Sequence, residues 1–270
     1  MVGKLLARGM LAGIVAGLLA FGFARLFGEP PVAGAIAFEE EMDHAAADHA
    51  KMDHSAMSHA PAGTETGTAE TEPPLVSREV QSGIGLFTGA VVYGAALGGL
   101  FALVFAVVHG RVGRLGPRAT AALLAGAGFI AVVVAPGLKY PANPPSVGLP
   151  ETIGLRTELY FLMIAISLAA MVLAINLGRR LAARLGAWNA ALLAIAAFVA
   201  IVAIADILLP AIDEVPEKFP AALLWNFRVA ALGMQLIMWA ALGLLFGALS
   251  ERSLRDRLRT GSPLPAPAWR

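Results

Sequence analysis

The stretch "TELYFLMIAISLAAMVLAINL", residues 157–177, decides the fold class. After Glu158 no charged side chain appears before Arg179. About 20 apolar residues in a helix rise about 30 Å, the thickness of a bilayer's hydrocarbon core. The stretch therefore reads as a transmembrane helix. Five more stretches have the same character: Leu5–Phe27, Gly83–Val108, Ala119–Leu138, Ala187–Leu209 and Ala221–Leu249. The whole chain agrees, with 58% hydrophobic residues, 14% charged residues and a mean hydropathy of +0.72. Soluble proteins carry about 25% charged residues. The expected fold is an all-α integral membrane protein with six transmembrane helices.

The charges orient those helices. The N-terminus (Lys4, Arg8), the 109–118 turn, the 178–186 turn and the tail hold 13 of the 20 basic residues and only two acids, Glu251 and Asp256. Lysine and arginine in short loops mark the cytoplasmic side, so both termini are expected inside. The other acids then collect on the external face, which becomes electronegative and attracts cations. The expected organisation is a first transmembrane helix at 1–27, an external acidic loop at 28–82, a five-helix bundle at 83–249 and a basic cytoplasmic tail at 250–270. Within the loop, "PAGTETGTAETEPP" (61–74) has no apolar face to bury and reads as a disordered linker. A second reading of the N-terminus is a cleaved signal peptide, with Ala33-Gly34-Ala35 as the cleavage motif; the apolar run is longer than a signal core. Gly9, Gly13 and Gly17, like Gly85 with Gly89 and Gly94 with Gly98, have the small-xxx-small spacing that lets helices approach closely, so the first two helices are expected to pack together.

Four of the five histidines fall in "EMDHAAADHAKMDHSAMSH" (41–59), at His44, His49, His54 and His59. Asp43, Asp48 and Asp53 precede three of them by one residue, and Met42, Met52 and Met57 precede three of them by two. An interval of five spirals round a helix and alternates faces in a strand, so neither places the imidazoles on one side. A flexible segment can instead fold around a cation. Imidazole, thioether and carboxylate together suit zinc, copper, nickel and cobalt with low selectivity, and no cysteine is available. The remaining histidine, His109, reads as an interfacial residue.

Ionisable groups inside spans are costly and mark candidate sites. Arg228 lies about two turns into the last helix, and Glu158 and Asp206 are its expected partners. Asn226, Arg228 and Gln235 make a polar line, and Met163, Ser167 and Met171 make a stripe that fits packing. No G-x-x-x-x-G-K-[ST], H-E-x-x-H or G-x-S-x-G motif occurs. Nothing here points to an enzyme, an organic cofactor or a nucleic-acid partner.

Three segments carry a family resemblance: "FGEPPVAGAIAFEE" (27–40), "KYPANPPSVGLPETIGLRTELYF" (139–161) and "LPAIDEVPEKFPAALLWNFRVAALG" (209–233). With the apolar spans they resemble the CbtA family of cobalt transporter subunits. The resemblance implies a multi-pass protein of the bacterial inner membrane that takes up cobalt for cobalamin synthesis, often beside a small one-helix subunit with a histidine motif. The matching positions are Glu29, Pro30, Glu39 and Glu40; Lys139, Tyr140, Pro141, Asn143 and Pro144; and Glu214, Pro216, Phe219, Pro220, Trp225 and Arg228. The methionine-rich histidine loop departs from the pattern and brings nickel and copper in as alternative substrates.

The combined expectation is a permease. The external loop collects the ion, and Glu29, Glu39, Glu40, Asp213 and Glu214 form a rim above Glu158, Asp206, Asn226, Arg228 and Gln235. The alternative is a membrane-anchored copper or nickel buffer that serves another transporter.

Overall fold

The computed structural model describes residues 2–56, 77–111, 115–145, 147–148 and 150–259. Among the described residues every regular element is helical. In order they are α1 (Val2–Phe23), α2 (Glu29–Ala56), α3 (Arg78–Val80), α4 (Leu86–Val108), α5 (Pro117–Phe129), α6 (Ala135–Lys139), α7 (Pro150–Leu208) and α8 (Ala221–Arg259). Among the described residues five helical segments are long and apolar enough to cross a membrane: Val2–Ala45, Arg78–Val108, Pro117–Lys139, Glu151–Leu208 and Ala221–Ser253.

The first difference from the sequence reading lies after Phe27. The segment expected to be a loop from residue 28 is helical as far as Ala56, because a wide turn of π-helix at Ala24–Gly28 joins α1 to α2. Pro30 and Pro31, residues that ordinarily stop a helix, sit inside it. A proline removes one donor and crowds the preceding turn, and a π-bulge opens that turn enough to take it. Beyond the prolines, Ala, Glu and Met are strong helix formers, so the chain continues although its apolar character fades. The same device recurs at Ile130–Val134, immediately before Pro136. There the Ala135 N–H bonds the Ile130 carbonyl, and Pro136 has no N–H for Ala131. The Ser167 hydroxyl donates to the Ala131 carbonyl instead.

The bundle's core is built on close approach. A Cβ added at Gly13 would lie 2.0 Å from the Gly94 carbonyl oxygen, and one at Gly98 would lie 2.0 Å from that of Gly9. The two backbones touch, as the glycine spacing predicts, so α1 and α4 form a tight antiparallel pair. Next to them α8 buries Met238, Leu242 and Phe246 against Ala12, Ala16, Phe101 and Phe105. Phe246 meets both phenylalanines edge-on, with centroids 5.4 and 4.9 Å away. On its other side α8 lies along α5, with Trp239 over Gly128.

The sequence's fourth and fifth spans are two limbs of α7. The helical hydrogen-bond pattern runs through 59 residues, but Gly186 breaks the path with φ 76° and ψ 161°. Glycine adopts that conformation freely, whereas other residues do so at a cost. The limbs fold back on each other: Gly178 approaches Ala194, and Leu159 and Met163 pack with Val202 and Ala205. This hairpin is the least covered element. Only 11% of its most apolar window is buried, against 28–33% in the other four segments, so most of its surface is left for lipid.

Candidate functional site

The polar chemistry gathers where the described parts of the connections 139–149 and 210–220 meet the middle of α2, both ends of α7 and the start of α8. Proline punctuates both connections and keeps their described residues out of regular helix, with turns at Pro144–Val147 and Pro216–Phe219, so carbonyls such as those of Pro141 and Ala142 stay free of helical bonds. Two arginines take up those carbonyls. Arg156, on the first turns of α7, donates to Glu214 at 2.9 Å and to the Pro141 carbonyl at 2.6 Å. Thr152, one turn earlier, donates to the other Glu214 oxygen at 2.5 Å. The Glu214 side chain is 1% exposed, and this set of donors makes its burial tolerable. The second arginine, Arg228, donates to the Ala142 carbonyl at 3.2 Å and to Asn143 Oδ1 at 3.0 Å. Tyr140 completes the frame by donating to the Pro210 carbonyl at 2.9 Å. Burial pushes the Tyr140 phenol up from its ordinary range, and the nearby Asp206 carboxylate adds to the shift. It stays a neutral donor at physiological pH.

These contacts redistribute the expected residues. Glu214 is buried and paired with Arg156. Glu29 is likewise paired, with Arg78 at 2.6 Å. The bonds of Arg228 go to neutral oxygens rather than to Glu158 or Asp206, because the 141–143 segment lies over its end of α8 and offers acceptors within reach. Glu158 and Asp213 are exposed, and Asp213 accepts from the Val215 N–H. The line Asn226–Arg228–Gln235 is divided between two faces of α8. Asn226 lines a cleft of ≈ 380 Å³ with Pro30, Pro31 and Trp225, whereas Arg228 and Gln235 line a cavity of ≈ 440 Å³ on another side.

A third cavity, ≈ 460 Å³, lies between α2 and the 210–220 connection. Phe38 and Phe219 close its apolar end, edge to face at 5.3 Å, with Ala35 buried beneath. Its open end carries Glu39, Met42 and Asp43 from α2 and Glu217 and Lys218 from the connection. Glu39, Met42 and Asp43 share one side because intervals of three and four residues bring helical side chains together. The sequence reading named those three and passed over Glu217, 174 residues further on. Arg156, Thr152 and Tyr160 were missed as well. The signal available for Arg156 was its place among the few basic residues, such as Arg78, Lys139 and Lys218, on the face expected to be negative.

Glu40 and His44 are exposed on α2. His49, His54, Asp48, Met52 and Asp53 continue the same helix, and their side chains lie outside the described part. Met57 and His59 lie outside the described residues altogether. Helical geometry turns successive histidines by about 140°, so the histidines of α2 spiral around it. Among the described residues no three His, Asp or Glu side chains converge as a ready metal centre. At the opposite end of the bundle Arg118 pairs with Glu251, and His109 stacks on Phe105 at 5.0 Å with its Nδ1 3.4 Å from the Thr120 hydroxyl.

A helical bundle sheathed in exposed apolar side chains, with acids and proline-rich connections gathered at one end, defines a multi-pass membrane protein. Residues 2–251 match the CbtA family model, described as a probable cobalt transporter subunit, and the chain belongs to that family. No curated protein and no solved structure matches it.

Proposed function

We propose that this chain is the ion-conducting subunit of a cobalt uptake system in a bacterial inner membrane, and that the cleft between α2 and the 210–220 connection is where the ion enters. The observation that carries this reading is that Glu39, Asp43 and Glu217, with Met42, line the open end of one cavity of ≈ 460 Å³, spread around its mouth rather than gathered into a ready metal centre. Carboxylates accept most divalent ions, and the thioether biases the set toward softer ones. The acids are exposed, so an arriving ion can keep much of its hydration while they neutralise its charge. Lys218 in the same mouth is an internal competitor.

The α2 extension that starts at His44 collects ions for this cleft, and His49, His54 and His59 follow it in the sequence. Below, on the same α2–α8 seam, lies the smaller cleft of Asn226, Pro30 and Pro31. There the Glu29 N–H bonds the Ala24 carbonyl, and Pro30 and Pro31 have no N–H to offer Arg25 and Leu26. Those carbonyls and the Asn226 side chain supply neutral oxygens for the next step, the arrangement that broken membrane helices provide for ions. Phe23 against Gly233 closes the seam further in. Six crossings with both termini inside fit this reading. The 59 residues of α7 would span about 90 Å, about three bilayer cores, unless its limbs cross separately.

The test is cobalt entry into liposomes containing the purified chain. Glu39→Gln, Asp43→Asn and Glu217→Gln together are expected to raise the KM for cobalt about tenfold or more, with a smaller change in the maximal rate. Unchanged kinetics would remove the cleft from the path. Tight cobalt binding without entry would favour a membrane-anchored buffer.

A further inference from the structure

On another side of α8 the cavity of ≈ 440 Å³ presents a different chemistry. Its walls are largely apolar, with Val134, Leu138 and Leu232 among them, and Tyr160 and Gln235 supply neutral polar groups. One charge faces this lining, that of Arg228. Its described hydrogen bonds use Nε and one terminal nitrogen on neutral oxygens, and no carboxylate forms an ion pair with it among the described residues. The charges it feels are Arg156, already paired with Glu214, and Asp213 out in the connection. A guanidinium at the edge of a low-dielectric region, short of counter-charge, attracts an anion.

Depth and lining together select the anion. Arg228 lies about 10 Å from the start of α8, by the ~1.5 Å rise per residue, and its bonds to Ala142 and Asn143 hold the guanidinium at the level of the connection. Leu138, 74% exposed, stands at the outer end of the apolar wall, and Val134 and Leu232, one helical turn from Leu138 and Arg228 respectively, carry it inward. A charged group at the boundary with an apolar trough running inward is the shape of a phospholipid, headgroup first. A divalent cation would be repelled there.

We infer that this cavity is a binding site for an anionic phospholipid, with the phosphate on Arg228 and an acyl chain along Val134, Leu138 and Leu232. The inference is independent of the entry cleft, which lies against α2.

The full chain, purified in mild detergent, can be loaded with phosphatidylglycerol, phosphatidylcholine or inorganic phosphate and then analysed by native mass spectrometry and thermal unfolding. The wild type is expected to retain phosphatidylglycerol at least tenfold better than phosphatidylcholine and to be stabilised by it, while millimolar phosphate has no effect. Arg228→Gln should abolish the preference, and Arg228→Lys should keep most of it. Leu138→Trp fills the trough without touching the arginine and should also lower retention, which covers the case of a poorly folded Arg228→Gln. Equal retention of both lipids by the wild type, undiminished preference in both Arg228→Gln and Leu138→Trp, or stabilisation by inorganic phosphate equal to that by phosphatidylglycerol would overturn the assignment. The last result would point to a soluble anion.

Discussion

Glu214 and Arg156 are 58 residues apart in the chain and 2.9 Å apart in space, and the carboxylate is almost wholly withdrawn from water. Removing one partner of such a pair strands the other charge. Glu214→Gln should therefore cost about 3 kcal/mol and lower the midpoint of thermal unfolding, whereas Arg156→Met with Glu214→Leu should recover much of the loss. Tyr140 gives a pH signature. An acid whose folded pKa is raised contributes its stability fully below the unfolded value, about 10 for tyrosine, and loses it as pH rises toward the folded value. Stability should fall above about pH 10 as the phenol ionises and stops donating to Pro210, and Tyr140→Phe should flatten that fall. In the entry cleft, Lys218→Gln removes a competing cation and should lower the KM for cobalt in the liposome assay. At this scale the acids were legible in the sequence and their roles were not. A carboxylate next to prolines reads alike whether it meets an ion or an arginine, because the partner comes from a distant segment.

Elements were legible where one face or one composition dominated. The glycine intervals of α1 and α4 predicted their contact, and the separation of 2.0 Å between an added Cβ and the Gly94 carbonyl makes the contact testable. Gly13→Val should force the pair apart, lower the unfolding midpoint and suppress cross-linking between cysteines placed at positions 16 and 91. Gly186→Ala puts alanine in a positive-φ, extended-ψ conformation that is essentially confined to glycine and should cost about 1–3 kcal/mol, seen as a lower unfolding midpoint. The α2 extension was hidden from the sequence because hydropathy marks the end of an apolar stretch, not the end of a helix. Prolines usually reinforce such an ending; here a π-turn absorbs them.

For the whole molecule, the number of crossings depends on whether α7's limbs each span the bilayer. The natural chain contains no cysteine, so single cysteines report without background. Cysteine in place of Lys218 should react with a membrane-impermeant maleimide added to intact cells, and cysteine in place of Ala183 should react only after the membrane is opened. Reaction of both from outside would mean that α7 does not return through the membrane at Gly186.

The sequence by itself determined that the chain lives in lipid, where its long apolar runs lie and which ends carry the basic residues. Those properties follow from local composition, which needs no partner to act. Only the tertiary structure decided which acids face an open cleft and which are locked to an arginine, and that Asn226 and Arg228, two residues apart, serve different cavities. The physical reason is that a side chain's charge belongs to its residue, while the field it feels comes from the helices and connections packed around it.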